Sequence, residues 1–524
     1  MVKTVSEWKS VEYLPHGLLS ICSYVAEYAT HDVDLKIVDL NDEMCKFNCA
    51  SPVDLKLQIF DFLDKSIVDF APDIVGVSIM FSISYAHLDE ISRHVKKNAP
   101  NAMIIVGGNF ATGLYHEIVS NNIIDAVCYG EGEIPFCQLV DSNNIWTHIE
   151  ENPSFITKNS LKAGKTPFNN IVQDLDSLPE IKFEFINIPD YTRPITRKYV
   201  NDGETYGDDP ITLSIYSSRG CPFNCCFCAC HVVHGKKTRF MSIKRFINEI
   251  KGMITRYKIQ GLLINDDNFL LDKKRAKAIL HELTKLNIKV YFLAIFVRNI
   301  DEEIAFLLKK LGTKNQLLAI ESGSEFVLKS IIDKPLNKKE IINAVKCLRK
   351  HNIGIHTNVV IGFPGETDEH RRETLKTLSE IGFDWIRFLI VIPAPGSRLY
   401  SECKEKGYLV NDRFYSPGIS YNHCNIITPD YTPEYIEEQA YMMNLHANFI
   451  HNYNLTVRNY DKCITQFTNI SKMVPSHAFA YYGLMKAYYG KGEKEVALQN
   501  KTKFEEITEK NSFWKKWAEY FNLV

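Results

Sequence analysis

The chain has 524 residues, room for about three domains at roughly 150 residues each. Hydrophobic residues make up 45% and charged residues 24%, the balance of a globular protein, and a net charge of −2 excludes a whole-chain field that would draw in nucleic acid or an acidic membrane. No run approaches the roughly 18–20 apolar residues of a membrane span, and the opening MVKTVSEWKSVEY lacks the apolar core of a signal peptide, so a cytoplasmic protein without nucleic-acid partners is expected. Lys236, Lys237 and Arg239 form one short basic run, read as a solvated loop. Of the 14 cysteines, five fall within 221–230, and in a reducing compartment such clustering points to metal rather than to disulfides.

In chain order, 33–40, 73–79, 102–108 and 125–131 read as buried strands, and 15–29, 54–70, 85–98 and 112–121 as helices. The alternation predicts a doubly wound parallel sheet over 1–150, with ligands expected beyond the carboxyl ends of its strands, at Ser78, Gly107, Gly108 and the Gly130–Glu131–Gly132–Glu133 turn. Residues 151–208, with Pro153, Pro167, Pro179, Pro189 and Pro194, read as a connector. Over 209–405 the rhythm returns, with strands at 211–217, 261–266, 290–296, 316–321, 356–362 and 385–392 and helices at 242–257, 272–286, 301–311, 337–351 and 367–381. That makes a partial (β/α)6 barrel, whose site belongs at the carboxyl ends of the strands. Residues 406–524 read as a helical domain, with helices at 432–451, 456–472, 476–490 and 492–508, and 477–497 resembles part of a tetratricopeptide repeat. The fold class is therefore α/β: a Rossmann-like sheet, a partial barrel and a helical C-terminal domain.

RGCPFNCCFCAC, residues 219–230, spaces three cysteines as Cys221-x3-Cys225-x2-Cys228 directly after the first barrel strand. Three thiolates in a tight loop suit three corners of an iron–sulfur cubane and leave one iron open to a chelating small molecule. Cys226 and Cys230 are extra and read as bystanders. Two other readings exist on spacing alone: a zinc site on Cys225, Cys228, His231 and His234, or a thioredoxin-like Cys225/Cys228 pair.

The cysteine motif, Phe227 before its third cysteine and the six-unit barrel resemble the radical S-adenosylmethionine (SAM) superfamily over residues 210–400. The resemblance implies a [4Fe–4S] cluster on Cys221, Cys225 and Cys228, with SAM on the open iron. It also implies SAM contacts from Phe227, from Asp266 and Asp267 (amino group), from Glu321, Ser322 and Gly323 (ribose), and from Gly362 in Ile361–Glu366 (adenine). Residues 73–136 are similar to the cobalamin-binding domain that precedes many such barrels, which implies corrin or nucleotide contacts from Ser78, Gly107, Gly108, Gly130, Glu131 and Gly132. Two departures stand out: there is no Asp-x-His-x-x-Gly motif for an axial histidine, and the usual first strand with its Asn-Pro-Pro turn is missing near 1–15.

The resemblance as a whole implies a cobalamin-dependent, class B-type radical SAM methyltransferase. Such an enzyme acts on an unactivated carbon of a small-molecule or peptide substrate and is reduced by a donor such as flavodoxin or ferredoxin. Tyr216, His231, His234, Arg298 and Arg387, at or just after strand ends, are the substrate candidates. A radical SAM cyclase or rearrangement enzyme is the nearest alternative. A methylthiotransferase is disfavoured because Cys22, Cys45 and Cys49 are spaced too unevenly for a second three-cysteine set, and a zinc-stabilised, non-catalytic scaffold is the alternative of another class.

Overall fold

The computed structural model of the chain describes residues 14–47, 51–80, 82–191, 211–410 and 421–524. The N-terminal stretch with its eroded first strand, Cys49 and residues 192–208 of the expected connector lie outside these residues.

The first sheet runs β1 (Ile74–Ser78), β2 (Met103–Gly107), β3 (Ala126–Cys128) and β4 (Phe155–Ile156) in spatial order. The first three strands are parallel, with Ile74 opposite Met103 and Ile105 opposite Ala126, and β4 adds an antiparallel edge. Alternation places the side chains of β2. Ile104 and Val106 pack on one face with Ile59 and Val95, while Met103 and Ile105 pack on the other with Leu139, Ile149 and Phe155. The segment 33–40 forms no strand. Its Lys36 turns to the carbonyl of Ser66, and Asp39 caps the helix Leu40–Lys46 by accepting from the Asn41 amide at 2.9 Å. Polar residues that anchor sideways in this way leave β1 as the sheet edge. The helix expected at 112–121 is two short ones, Asn109–Gly113 and Tyr115–Val119.

All six expected barrel strands are present: β5 (Thr212–Ile215), β8 (Gly261–Ile264), β9 (Lys289–Phe292), β10 (Asn315–Glu321), β11 (Gly354–Ile361) and β12 (Trp385–Ile390). They pair in parallel as β5-β8-β9 and β10-β11-β12, and a parallel bridge from Ile295 to Leu318 joins the two halves. Between β5 and β8 lies a hairpin of β6 (Ser218–Arg219) and β7 (Arg239–Phe240) that periodicity did not reveal, because its strands are two residues long. The crossover helices match expectation and carry ordinary caps: Ser242, Asp272, Asp301, Asn337 and Thr367 each accept an amide of the first turn. Among the described residues, β5 and β12 are the two edge strands of the barrel.

Beyond the barrel the described chain is helical from Pro433 to Tyr520, with a core of Phe449, Phe467, Phe479, Trp514 and Trp517. Trp385 of β12 belongs to that core, so these helices are built onto the barrel edge. No helix among the described residues is long and apolar enough to cross a membrane.

The first sheet is seated over the barrel mouth by backbone contact. A Cβ on Gly113 would lie 2.3 Å from the carbonyl oxygen of Pro395, in the loop after β12. Lys404, eight residues past Gly396, pairs with Glu117 at 2.6 Å. Gly113→Ala is therefore expected to cost about 1–3 kcal/mol by overpacking a backbone contact that has no flexible side chain to yield. Chemical denaturation followed by circular dichroism measures it, and an unchanged midpoint would contradict the contact.

Candidate active site

The cysteine loop is fixed before any cysteine is reached. Asp266, just past β8, accepts from the amides of Ser217 (2.5 Å) and Ser218 (3.2 Å) and from their hydroxyls (2.5 and 2.7 Å). Its neighbour Asp267 accepts from the Gly220 amide at 2.8 Å. Arg275 donates to the carbonyls of Ser217 (2.8 Å) and Met241 (2.9 Å) and lies over the Phe240 ring. Gly220 sits at φ +91°, where only glycine is comfortable. Both Asp266 oxygens are thus engaged on the loop. The residue expected to touch SAM is placed as the loop's anchor, and burial, against its four donors, still raises its pKa.

Cys221, Cys225 and Cys228 are half-buried, with the Cys228 amide donating to the Cys225 carbonyl at 3.0 Å. Cys226 faces away. It is buried in the barrel core, its amide donates to Ile332 and its carbonyl accepts from Leu399. Cys230, read as a bystander, is within hydrogen-bonding reach of both Cys221 and Cys228. That contact draws the Cys221 thiol down to about 7 and lowers Cys228, while Cys230 itself is raised and burial pushes Cys225 up to about 12. Thiolates are the form that ligates iron, and two thiols biased toward it beside a third fit the expected cluster. The alternative zinc quartet is not assembled, because His234 is bonded elsewhere, to Glu131. No group of three or more His, Cys, Asp or Glu among the described residues is arranged for a single metal ion.

One cavity of about 2520 Å³, well above the few hundred to 1,000 Å³ of an ordinary ligand pocket, joins the first sheet to the barrel interior. Ser78 lines it from the sheet, Phe227, Cys228, Cys230 and Asp267 from the mouth, and Glu321, Asn358 and Arg387 from the barrel wall. Glu321 is held at φ +68° with its carboxylate on Lys334 at 2.9 Å. Tyr216 also lines the cavity, at the end of β5.

Several of the expected contact residues are packed against other parts of the chain. Ser322 is bonded to Thr374 (3.0 Å), and a Cβ on Gly323 would strike the Thr374 carbonyl at 2.8 Å, so both seat the helix Asp368–Ile381. Gly362 gives its amide to Glu366 and its carbonyl to Tyr431, and it abuts Ile436. Arg298 points outward and pairs with Glu340 at 3.1 Å, and neither His231 nor His234 is on the cavity wall. In the first sheet, Gly107 and Gly108 pack on Cys128 and Ile79 rather than on the cavity. Gly130 makes room for Asn169, and Gly132 for Ile21.

Glu131 departs furthest from its expected role as a corrin contact. Only 3% exposed, it accepts from Arg239 (2.5 and 3.0 Å), which is itself 5% exposed rather than part of a solvated loop. It also accepts from the Val172 amide, bonds His234 at 2.8 Å and lies 3.4 Å from Arg219. Arg219 reaches on to Glu133 at 2.8 Å and to the Ser20 hydroxyl. Burial pushes the Glu131 pKa up, but the bonds from His234 and Arg239 and the charge of Arg219 win, and the net shift is down.

Two cavity residues carried no sequence signal. His16 bonds the Ser214 hydroxyl through Nε2 at 2.7 Å and meets Tyr216 edge-on at 5.0 Å, and burial together with Arg219 lowers its pKa to about 4. Asn358 stands directly opposite Arg387 in the β11–β12 register, and its Oδ1 is enclosed without a hydrogen-bond partner among the described residues.

Known proteins align with this arrangement. A match to the Radical SAM superfamily covers residues 215–378, and one to the B12 binding domain covers 11–140. An uncharacterised methyltransferase of Pyrococcus horikoshii is 30% identical over 72% of this chain and 76% of its own length. The cytidylyl-2-hydroxyethylphosphonate methyltransferase of Streptomyces wedmorensis is 26% identical over 75% and 78%. Among solved structures, the radical SAM methyltransferase TsrM from Kitasatospora setae, with cobalamin and a [4Fe–4S] cluster bound, superposes with a TM-score of 0.57 at 14% identity, covering 94% of this chain and 96% of that one. The cobalamin-dependent SAM radical enzyme OxsB gives 0.57 at 17%, covering 99% and 79%.

Removing one partner of a buried ion cluster leaves the others uncompensated. Glu131→Gln is expected to lower the unfolding free energy by about 3–5 kcal/mol at pH 7. Because the folded-state pKa of Glu131 is depressed, its contribution is present above the ordinary carboxylate value of 4.5 and fades as pH falls below it. The difference between wild type and variant should therefore shrink on acidification. Urea titrations at pH 7 and pH 4 test this, and a gap that widens at low pH would contradict it.

Proposed function

The chain belongs to the radical SAM superfamily, in the branch that carries a B12 binding domain, and from that membership we propose that it methylates an unactivated carbon of a small-molecule or peptide intermediate. It is an enzyme whose cofactors are a [4Fe–4S] cluster, SAM and cobalamin. When bound, they supply reductive cleavage of SAM to a 5′-deoxyadenosyl radical and a methyl group for transfer.

The observation that carries the reading is the single cavity that borders both the carboxyl edge of the first sheet and the cysteine loop, and then continues into the barrel. Cys221, Cys225 and Cys228 would hold the cluster, with Asp266, Asp267 and Arg275 keeping the loop in place. Phe227, Asp266, Asp267 and Glu321 lie on the wall beside them and are the candidates for SAM. Ser78, on the opposite wall, is a candidate for cobalamin. Arg387 and Asn358 face the deeper part of the cavity and would orient the substrate, a guanidinium and an amide side by side offering donors and an acceptor to its polar group. The wall around them is apolar, with Leu317, Val360, Trp385 and Leu389, which excludes water from the space where a carbon radical must survive. The two named relatives support methyl transfer but do not fix the acceptor.

Anaerobic purification with cluster reconstitution and added cobalamin tests the assignment. Wild-type protein should take up about four irons per chain, retain corrin and form 5′-deoxyadenosine. Alanine at Cys221, Cys225 or Cys228 should abolish iron uptake and cleavage, whereas Cys226→Ala should retain both. Arg387→Ala should leave SAM cleavage intact and lose its coupling to methylated product. Retention of cluster and turnover by the three alanine variants would defeat the reading.

A further inference from the structure

We infer that the outer edge of the cysteine loop is a docking surface for an acidic one-electron carrier protein; the inference rests on the proposed cluster site. Such an enzyme must be reduced from outside, and the cavity side of the loop faces the cofactors. The opposite side is where the loop meets solvent, with Pro222 and Asn224 exposed.

The β6–β7 hairpin sets Arg219 opposite Arg239 and folds the bend 235–238 onto Gly220. A Cβ on Gly220 would lie 2.9 Å from the Lys237 carbonyl, and the Thr238 hydroxyl donates to the Gly220 carbonyl at 2.9 Å. Gly220 directly precedes Cys221. Lys236 and Lys237 are both exposed on this bend, and neither has an acidic partner among the described residues. Arg239, the third member of the basic run, is turned inward to Glu131, so the two lysines are what the run presents to solvent.

A second element extends the surface. Asn169 donates to the carbonyls of Val232 and Val233 at 3.3 and 2.6 Å, and Ile171 lies 3.9 Å from where a Gly235 Cβ would be. This fastens the connector alongside the short helix Cys230–His234. Its Phe168 is 56% exposed and Lys165 is exposed as well. A large aromatic left in water on a segment fastened beside the bend of Lys236 and Lys237 suits a compact interface, with an apolar anchor and a cationic rim that steers an acidic partner. Carrier interfaces are small and transient, and one held mainly by exposed charge weakens as salt rises. In the step itself one electron leaves the reduced carrier and enters the cluster, so that the carrier is oxidised by one electron, the cluster is reduced by one, and no bond is made or broken.

The test uses the full-length protein with reconstituted cluster, SAM and cobalamin. Wild type, Lys236→Glu/Lys237→Glu and Phe168→Ala are compared for cluster reduction by electron paramagnetic resonance and for the rate of 5′-deoxyadenosine formation. Reduced flavodoxin serves as the protein carrier and dithionite as the small-molecule reductant. The expected result is a fall of about tenfold or more in the flavodoxin-driven rate at low salt for the double variant, a smaller fall for Phe168→Ala, and unchanged dithionite-driven reduction. The wild-type flavodoxin rate should drop with added salt, and that of the double variant should be nearly flat. A double-variant flavodoxin rate within twofold of wild type overturns the proposal. Equal losses with both reductants overturn it too, since they place the effect on the cysteine loop itself. A wild-type chain that accepts electrons from dithionite but not from flavodoxin rejects the docking surface while leaving the cluster site standing.

Discussion

A glutamate and two arginines, the glutamate and Arg239 buried and Arg219 largely so, meet between the first sheet and the barrel and hold the rest of the structure in register. Glu131 comes from the turn after β3, whereas Arg219 and Arg239 come from the two strands of the hairpin that opens the cysteine loop. None of these charges would be tolerated alone at such depth. Each is tolerated because the other half of the molecule supplies its counter-charge, and Glu133, His234, Ser20 and the Val172 amide take up the remaining bonds. Arg219 is two residues before Cys221. The same ion pairs that seat the first sheet therefore orient the loop that carries Cys221, Cys225 and Cys228, and a shift of one displaces the other.

That coupling explains why so much of the loop's precision lies outside the cysteines. Asp266 and Asp267 reach across from the neighbouring strand, Arg275 closes over the loop's entry, and Gly220 takes a left-handed turn that brings Lys237 against it. The thiols themselves lie close to one another, and Cys221 is also held by the Phe223 backbone and the Asn268 side chain. Cys221 and Cys228 are eased toward thiolate by Cys230, while Cys225 is held neutral by burial. A scaffold that is rigid up to the ligands and adaptable at them suits a cluster that must be inserted after folding.

The parts of the molecule that repeat were legible in the sequence, and the parts that bridge were not. Period-2 and period-3.6 patterns gave all six barrel strands and their helices, because each buries one face against the same core. They misread 33–40, where Asp39 and Lys36 bond sideways and no ladder forms, and they were silent on β6 and β7, which are too short to show a period. At the site, the cysteine spacing and the strand ends located the loop, Phe227, Glu321, Tyr216 and Arg387 on the cavity. Glycine-rich turns are ambiguous: Gly130, Gly132, Gly323 and Gly362 leave room for other protein segments, and sequence cannot tell a close-packed neighbour from a close-packed ligand. Glu131, Arg239, His16 and Asn358 were invisible in those roles because their partners lie dozens to hundreds of residues away.

Among the described residues the barrel has six strands, and neither β5 nor β12 pairs with a further strand on its outer side, which leaves an opening there. Two segments foreign to the barrel cover that opening. The first helix, His16–Tyr28, brings His16 to Ser214 on β5, and the C-terminal helices bury Trp385 of β12 in their own core. The cavity extends along this flank as far as Asn444, Phe449 and His477. The barrel match covers residues 215–378, whereas the flank is built from segments that lie outside it. The cavity is thereby walled from two sources: the barrel strands and the cysteine loop on its closed side, and the cover over its open side.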